Sequence, residues 1–122
     1  MTWADIQVLH QKGISFGSHL ATHRPASAID NESLLAEAML SRNALQSRLG
    51  GAVEAIALPY GATDFRVPGI LALAGYGLGF TTRPAKATLS DNLFALPRIE
   101  VRGDRPLDAF PELMGLPGAF IG

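Results

Sequence analysis

Two of the three histidines in the chain stand four residues apart, in His19-Leu20-Ala21-Thr22-His23. On one helical turn or in a tight loop, that spacing aims two imidazole nitrogens at a single metal ion. The pair by itself is a weak signal, because exposed or hydrogen-bonded histidines at this spacing are common. Its place at the end of an expected strand strengthens it. A second group, Pro59-Tyr60-Gly61, also follows an expected strand. Its plain reading is a strand-to-helix turn punctuated by Pro and Gly. Its chemical reading is a turn that presents the Tyr60 backbone N–H to an oxyanion. The 122 residues contain no cysteine, so thiol catalysis and Cys-type zinc sites are excluded. Chemistry then falls to His, Asp, Glu, Ser, Thr and Tyr. The third histidine, His10, lies on an expected helix outside both groups and reads as a structural or surface residue.

The elements that must position these groups follow from the hydrophobic pattern. Thr2 and Asp5 form a capping-box variant ahead of Trp3, Ile6, Val8 and Leu9, and Gly13 ends that helix. Ile14-Ser15-Phe16-Gly17-Ser18 alternates as a short strand does and runs into His19. A loop rich in Ala, Ser, Thr and Pro follows, with Asp30 or Asn31 placed to cap the next helix. From Glu32 to Leu49, apolar residues at 34, 35, 38, 39, 45 and 49 share a stripe, with Glu37, Arg42, Gln46 and Arg48 assigned to the other faces. Gly50-Gly51 terminates it. Ala52 to Leu58 is a nearly continuous apolar run, suited to a strand covered on both faces. Asp64 is expected to cap a helix carrying Val67, Ile70, Leu71 and Ala74, with Pro68 in its first turn. Strands are expected at Leu78 to Thr82 and Ala95 to Val101, and a last helix from Asp104 through Met114. Regular alternation of strand and helix implies an α/β fold of parallel βα units. In such folds ligand-handling residues gather at the C-terminal ends of the strands, where both groups fall.

Composition narrows the function class. The chain has 10 basic and 11 acidic side chains and 48% apolar residues, as one folding unit does. A net charge of -1 with scattered cations argues against a nucleic-acid partner. No apolar run approaches the roughly 20 residues of a transmembrane helix. Met1 to Asp5 shows no basic start or apolar stretch, so the expected location is cytoplasmic if Met1 is the true start, and outside the cytoplasm if a leader precedes it.

The two groups in this order and spacing resemble the polysaccharide deacetylase family, carbohydrate esterase family 4. That family has G-S-H-x-x-x-H, here Gly17-Ser18-His19-Leu20-Ala21-Thr22-His23, and later P-Y-G, here Pro59-Tyr60-Gly61. Leu96-Pro97-Arg98-Ile99 resembles the late strand of a bacterial subgroup, and the likeness extends over residues 2 to 114. It implies a (β/α)7 deacetylase-type barrel, present here as one partial domain over residues 1–122 that lacks its first strand or strands. It also implies removal of N-acetyl or O-acetyl groups from a carbohydrate polymer. By the resemblance, His19 and His23 hold a divalent metal, zinc first and cobalt or nickel as alternatives, while Tyr60 between Pro59 and Gly61 donates its N–H to the oxyanion. The family's T-F-D-D-G, which carries the catalytic base and a third metal ligand, does not occur in the chain. Ala57 stands at the arginine position of R-x-P-Y-G, and Arg98 at the histidine position of L-x-H. The chain alone is therefore expected to be inactive, and the alternative is a non-catalytic carbohydrate-binding or scaffold remnant of the fold. An acetylated polysaccharide is the expected partner, and Asp30 the nearest substitute carboxylate. Open sheet edges point to a homo-oligomer, with elements exchanged between protomers as one form of it.

Overall fold

The computed structural model of the chain describes residues 1–100 and Gly103. Helix α1 spans Trp3–Gln11, α2 Asn31–Leu49 and α3 Val67–Leu73, with strands β1 Ala55–Ala57, β2 Leu78–Pro84 and β3 Leu96–Arg98. Single 3-10 turns occupy Ala26–Ala28 and Pro59–Gly61. The helix expected over residues 104 to 114 lies outside the described residues.

The strands form one sheet in the order β1-β2-β3, and both pairings are parallel. Ile56 faces Gly79 across the first pairing and Phe80 faces Leu96 across the second, with a register irregularity between Phe80 and Pro84. The alternating segment from Ile14 to Ser18 is not a full strand. Only Ser18 pairs, in a parallel bridge with Ile56, through Ser18 N–H to Ala55 O and Ala57 N–H to Ser18 O, each 2.9 Å. Gly17 allows this approach, since a Cβ there would stand 2.9 Å from Ala55 O.

The core is built where α2 and α3 cover the sheet. Leu34 and Ala38 of α2 meet Val53, Ile56 and Leu58 around β1 and Val67 and Leu71 of α3, all buried. Full burial of each large aliphatic side chain stabilises the fold by about 1.5–3 kcal/mol. Two long side chains that bring polar atoms into this core are partnered. Tyr76 donates its hydroxyl to Ala38 O at 2.8 Å, and Arg42 Nε donates to Val53 O at 2.8 Å.

Helix ends follow the expected chemistry at two of three places. Thr2 and Asp5 exchange the reciprocal bonds of a capping box. Asp30 caps α2 by accepting from Ser33 N–H at 2.7 Å, and Gly50 closes it in the left-handed conformation at φ 75°. Asp64, expected to cap α3, does not. The N-cap is Arg66, without a side-chain cap bond, and the Asp64 carboxylate instead accepts from Arg66 N–H at 3.0 Å and from the Arg66 guanidinium. That guanidinium also reaches Ile29 O and Asn31 Oδ1, so one arginine ties the turn before α3 to the start of α2.

Candidate functional site

The C-terminal end of β1 and the loop after Ser18 converge. His19 leaves the bridge with its Nδ1 2.7 Å from Ala57 O. A carbonyl can only accept, so Nδ1 carries a proton, and in the neutral ring this tautomer leaves the lone pair on Nε2. Histidines that ligate metals are commonly held this way, with the second ring nitrogen donating to a carbonyl or carboxylate. The His23 ring centroid lies 4.8 Å from that of His19 and 4.9 Å from that of Tyr60, the latter edge-on. Three residues named from the sequence thus meet at one place.

The backbone is forced there. Leu20, His23 and Tyr60 have φ of 64°, 60° and 59°, the three non-glycine residues with positive φ among the described residues. Left-handed conformations cost a side-chain-bearing residue about 1–2 kcal/mol, and such residues cluster where geometry serves a site. Pro59 is buried beneath the turn, while Tyr60 stands 69% exposed. Gly61 sits against β2, where a Cβ would come within 2.6 Å of Thr82 N and closer still to Thr82 Oγ1. No other residue type fits that position without moving the strand.

Arg98 is placed apart from the histidines. It lies on β3, two strands from β1, and donates Nε to Thr81 O at 2.7 Å. Thr82, next along β2, stands 3.5 Å from Tyr60 O and shares a cleft with Arg98, Ile99 and Glu100. The strand ends therefore form a continuous rim from His19 through Tyr60 and Thr82 to Arg98.

Carboxylates fall differently from the expectation. Asp30 is engaged as the cap of α2, and its bonds from Ser33 hold it below the usual carboxylate range. Among the described residues no group of three His, Asp or Glu is gathered as a metal-ligand set. The carboxylate that does reach the histidine loop is Glu37, assigned from sequence to a polar face of α2. It is buried at 5% exposure and accepts from Thr22 N–H at 2.9 Å, from the Thr22 hydroxyl, and from Arg24 at 3.5 Å. Burial pushes its pKa up, but the Thr22 bonds and Arg24 outweigh this and leave it lowered. A signal for it was present: Glu37 is three residues from Leu34 and four from Ser41, on the inward stripe of the helix.

The sequence profile of the polysaccharide deacetylases matches residues 1–79. The chain belongs to the polysaccharide deacetylase family. Solved structures agree with this α/β fold. A Streptococcus pyogenes deacetylase, PplD, solved in complex with acetate, superposes with a TM-score of 0.89 at 25% identity, over 93% of this chain and 50% of its own. The Bacillus anthracis protein BA0330 gives 0.81 at 27% identity, over 92% of this chain and 36% of its own. A Bacillus cereus polysaccharide deacetylase, BC0361, gives 0.79 at 25% identity, over 93% and 36%. No curated protein sequence matches the chain. The described deacetylase fold thus spans half or less of the length of these solved relatives, and its parallel strands are those of the deacetylase barrel.

Proposed function

We propose that this chain supplies the histidine-bearing part of a metal-dependent carbohydrate deacetylase site, in which His19 and His23 hold a divalent cation and Tyr60 N–H serves the oxyanion. The observation that carries the reading is the His19 Nδ1 bond to Ala57 O, with the His23 and Tyr60 rings beside it at the strand ends. These residues fit a cation as two nitrogen ligands of a larger set. A cation there supplies Lewis-acid polarisation of an acyl carbonyl and lowers the pKa of water. The chain's own residues orient the substrate. Pro59 and Gly61 fix the turn that aims the Tyr60 N–H, and the exposed Tyr60 ring offers an apolar face to a sugar. Arg98, at the far end of the rim, is suited to contact the polymer beyond the acyl group.

In this reading residues 1–122 are one partial domain, and the chain on its own has little or no deacetylase activity. The second reading is a non-catalytic carbohydrate-binding or scaffold remnant of the fold. Calorimetric titration with Zn²⁺, Co²⁺ and Ni²⁺, beside an assay on an acetylated chito-oligosaccharide, separates the two. The first reading expects one cation site, abolished in His19→Ala and in His23→Ala. Glycan binding without any cation site would establish the second. Metal-dependent turnover by the chain alone, lost in His19→Ala, would overturn the proposed inactivity.

Self-association belongs to the same proposal. Among the described residues nothing pairs with the outer edge of Gly17-Ser18, and beside it lies a cavity of about 470 Å³ lined by Trp3, Leu20, Leu40 and Leu45. The Ser18 Oγ is buried there without a partner. Such an edge recruits a further strand, which we take to be that of a second copy. Light scattering across a concentration series checks this, and a constant monomer mass excludes it.

A further inference from the structure

Glu37 is the single charged side chain that is buried among the described residues. A buried carboxylate is costly, and an apolar residue of similar volume would serve the packing of α2 as well or better. Its bonds explain where it is spent. Thr22 donates both its N–H, at 2.9 Å, and its hydroxyl to the two carboxylate oxygens, and Arg24 Nε stands 3.5 Å from one of them. Thr22 and Arg24 are the residues on either side of His23. His23 itself makes no bond to Glu37, yet its backbone is in the left-handed region at φ 60°. A left-handed histidine persists only where its surroundings over-determine it. Glu37 grips both neighbours from a helix whose position is set by the core through Leu34 and Ala38.

We infer that Glu37 is the positioning residue of the histidine pair: by holding Thr22 and Arg24 it fixes the backbone that turns the His23 ring toward His19 and Tyr60. It touches neither substrate nor cation. The inference rests on the proposed cation site only for its consequence, since the clamp itself is a property of the loop. Without Glu37, the Thr22 N–H loses its acceptor, the loop relaxes from the left-handed turn, and the two rings no longer converge.

Two readouts on the full 122-residue chain test this. One is Co²⁺ affinity by titration; the other is the set of ring-to-ring nuclear Overhauser effects joining His23 to His19 and Tyr60 in the metal-free protein. Glu37→Ala is expected to lose these ring contacts and to bind Co²⁺ about 10–100-fold more weakly, the range known for losing a group that orients a ligating histidine. Glu37→Gln, which keeps an oxygen for Thr22 N–H, recovers part of both. Wild-type ring contacts and affinity in Glu37→Ala would reduce the residue to a buried ion pair and overturn the inference. If Glu37→Ala does not fold, Thr22→Val carries the same test by deleting the hydroxyl bond alone. It should loosen the ring contacts, and their full retention overturns the inference. If the wild type binds Co²⁺ no better than His19→Ala, the cation reading falls, and the ring contacts alone decide the role of Glu37.

Discussion

Substituting alanine for Gly61 is expected to be among the most damaging single-methyl changes in the chain. Its φ of 66° lies in the left-handed region, and the new Cβ would meet Thr82 N at 2.6 Å, with Thr82 Oγ1 nearer still. The conformational part costs about 1–2 kcal/mol. Overpacking against a strand backbone adds about 1–3 kcal/mol. Together these reach about 2–5 kcal/mol, a large fraction of the roughly 5–15 kcal/mol that holds a typical domain folded. Gly50 provides the control, because it is also left-handed, at φ 75°, but nothing stands within 4 Å of the position its Cβ would take. Gly50→Ala therefore pays the conformational part alone. Urea unfolding followed by far-ultraviolet circular dichroism measures both. With a slope of about 1–3 kcal/mol per molar urea, the overpacking of about 1–3 kcal/mol should put the midpoint of Gly61→Ala about 0.3–3 M below that of Gly50→Ala. The double variant Gly61→Ala/Thr82→Ala should regain part of the loss, since one of the two obstructing atoms is removed and the backbone nitrogen stays. Equal midpoints for the two alanine variants would refute the close approach of the Pro59–Gly61 turn to β2, and with it the account of how Tyr60 is held beside His23.

Tyr60→Gly should leave stability unchanged or raise it by about 1 kcal/mol, because it relieves a left-handed side chain whose ring is 69% exposed; chemical denaturation checks this, and a clear loss would mean that the ring contact with His23 is structural. Arg66→Ala should cost about 1–3 kcal/mol by freeing Asp64, Ile29 O and Asn31 together, and Arg66→Lys should restore little, since one ammonium cannot span that fork; thermal unfolding distinguishes them. Glu37 has its pKa lowered from 4.5 in the folded chain, so the unfolded state takes up a proton first as the medium is acidified. The stability it contributes is complete above pH 4.5 and is lost as pH falls through the lowered value. Urea midpoints measured from pH 6 down to pH 3 should fall more steeply for wild type than for Glu37→Gln, and parallel curves would count against the buried pairing.

Much of this arrangement was legible in the residues. The capping box at Thr2, the Asp30 cap and the Gly50 stop fix the helices that flank the histidine loop, because capping chemistry is local. The apolar run ending at Leu58 places Pro59-Tyr60-Gly61 at a strand end for the same reason. What escaped depends on neighbours distant in the chain. Ile14 to Ser18 alternates like a strand, but alternation does not specify a partner, and only Ser18 finds one, in Ile56. Asp64 sits where a cap is wanted, yet an arginine two residues later competes for its carboxylate and wins it. Residue type assigns Glu37 to a face away from the apolar stripe, although its spacing from Leu34 puts it inward. Its donors, Thr22 and Arg24, lie 15 and 13 residues back, where no local pattern reaches. The positive φ of Leu20, His23 and Tyr60 has no signature in composition at all.

The order of the sheet has a consequence for how the chain is made. Its strands lie side by side in the order in which they are translated, from the Ser18 bridge through β1 and β2 to β3. A ribosome releases the amino end first, at about 5–20 residues per second. Each of these strands therefore emerges to find its neighbour already synthesised, and among the described strands none has to wait for a later segment to be inserted between two earlier ones. The histidine loop comes out before the Pro59–Gly61 turn, and that turn before the strand carrying Arg98. The rim of the site is thus laid down in one direction, each part seated on the part delivered just before it.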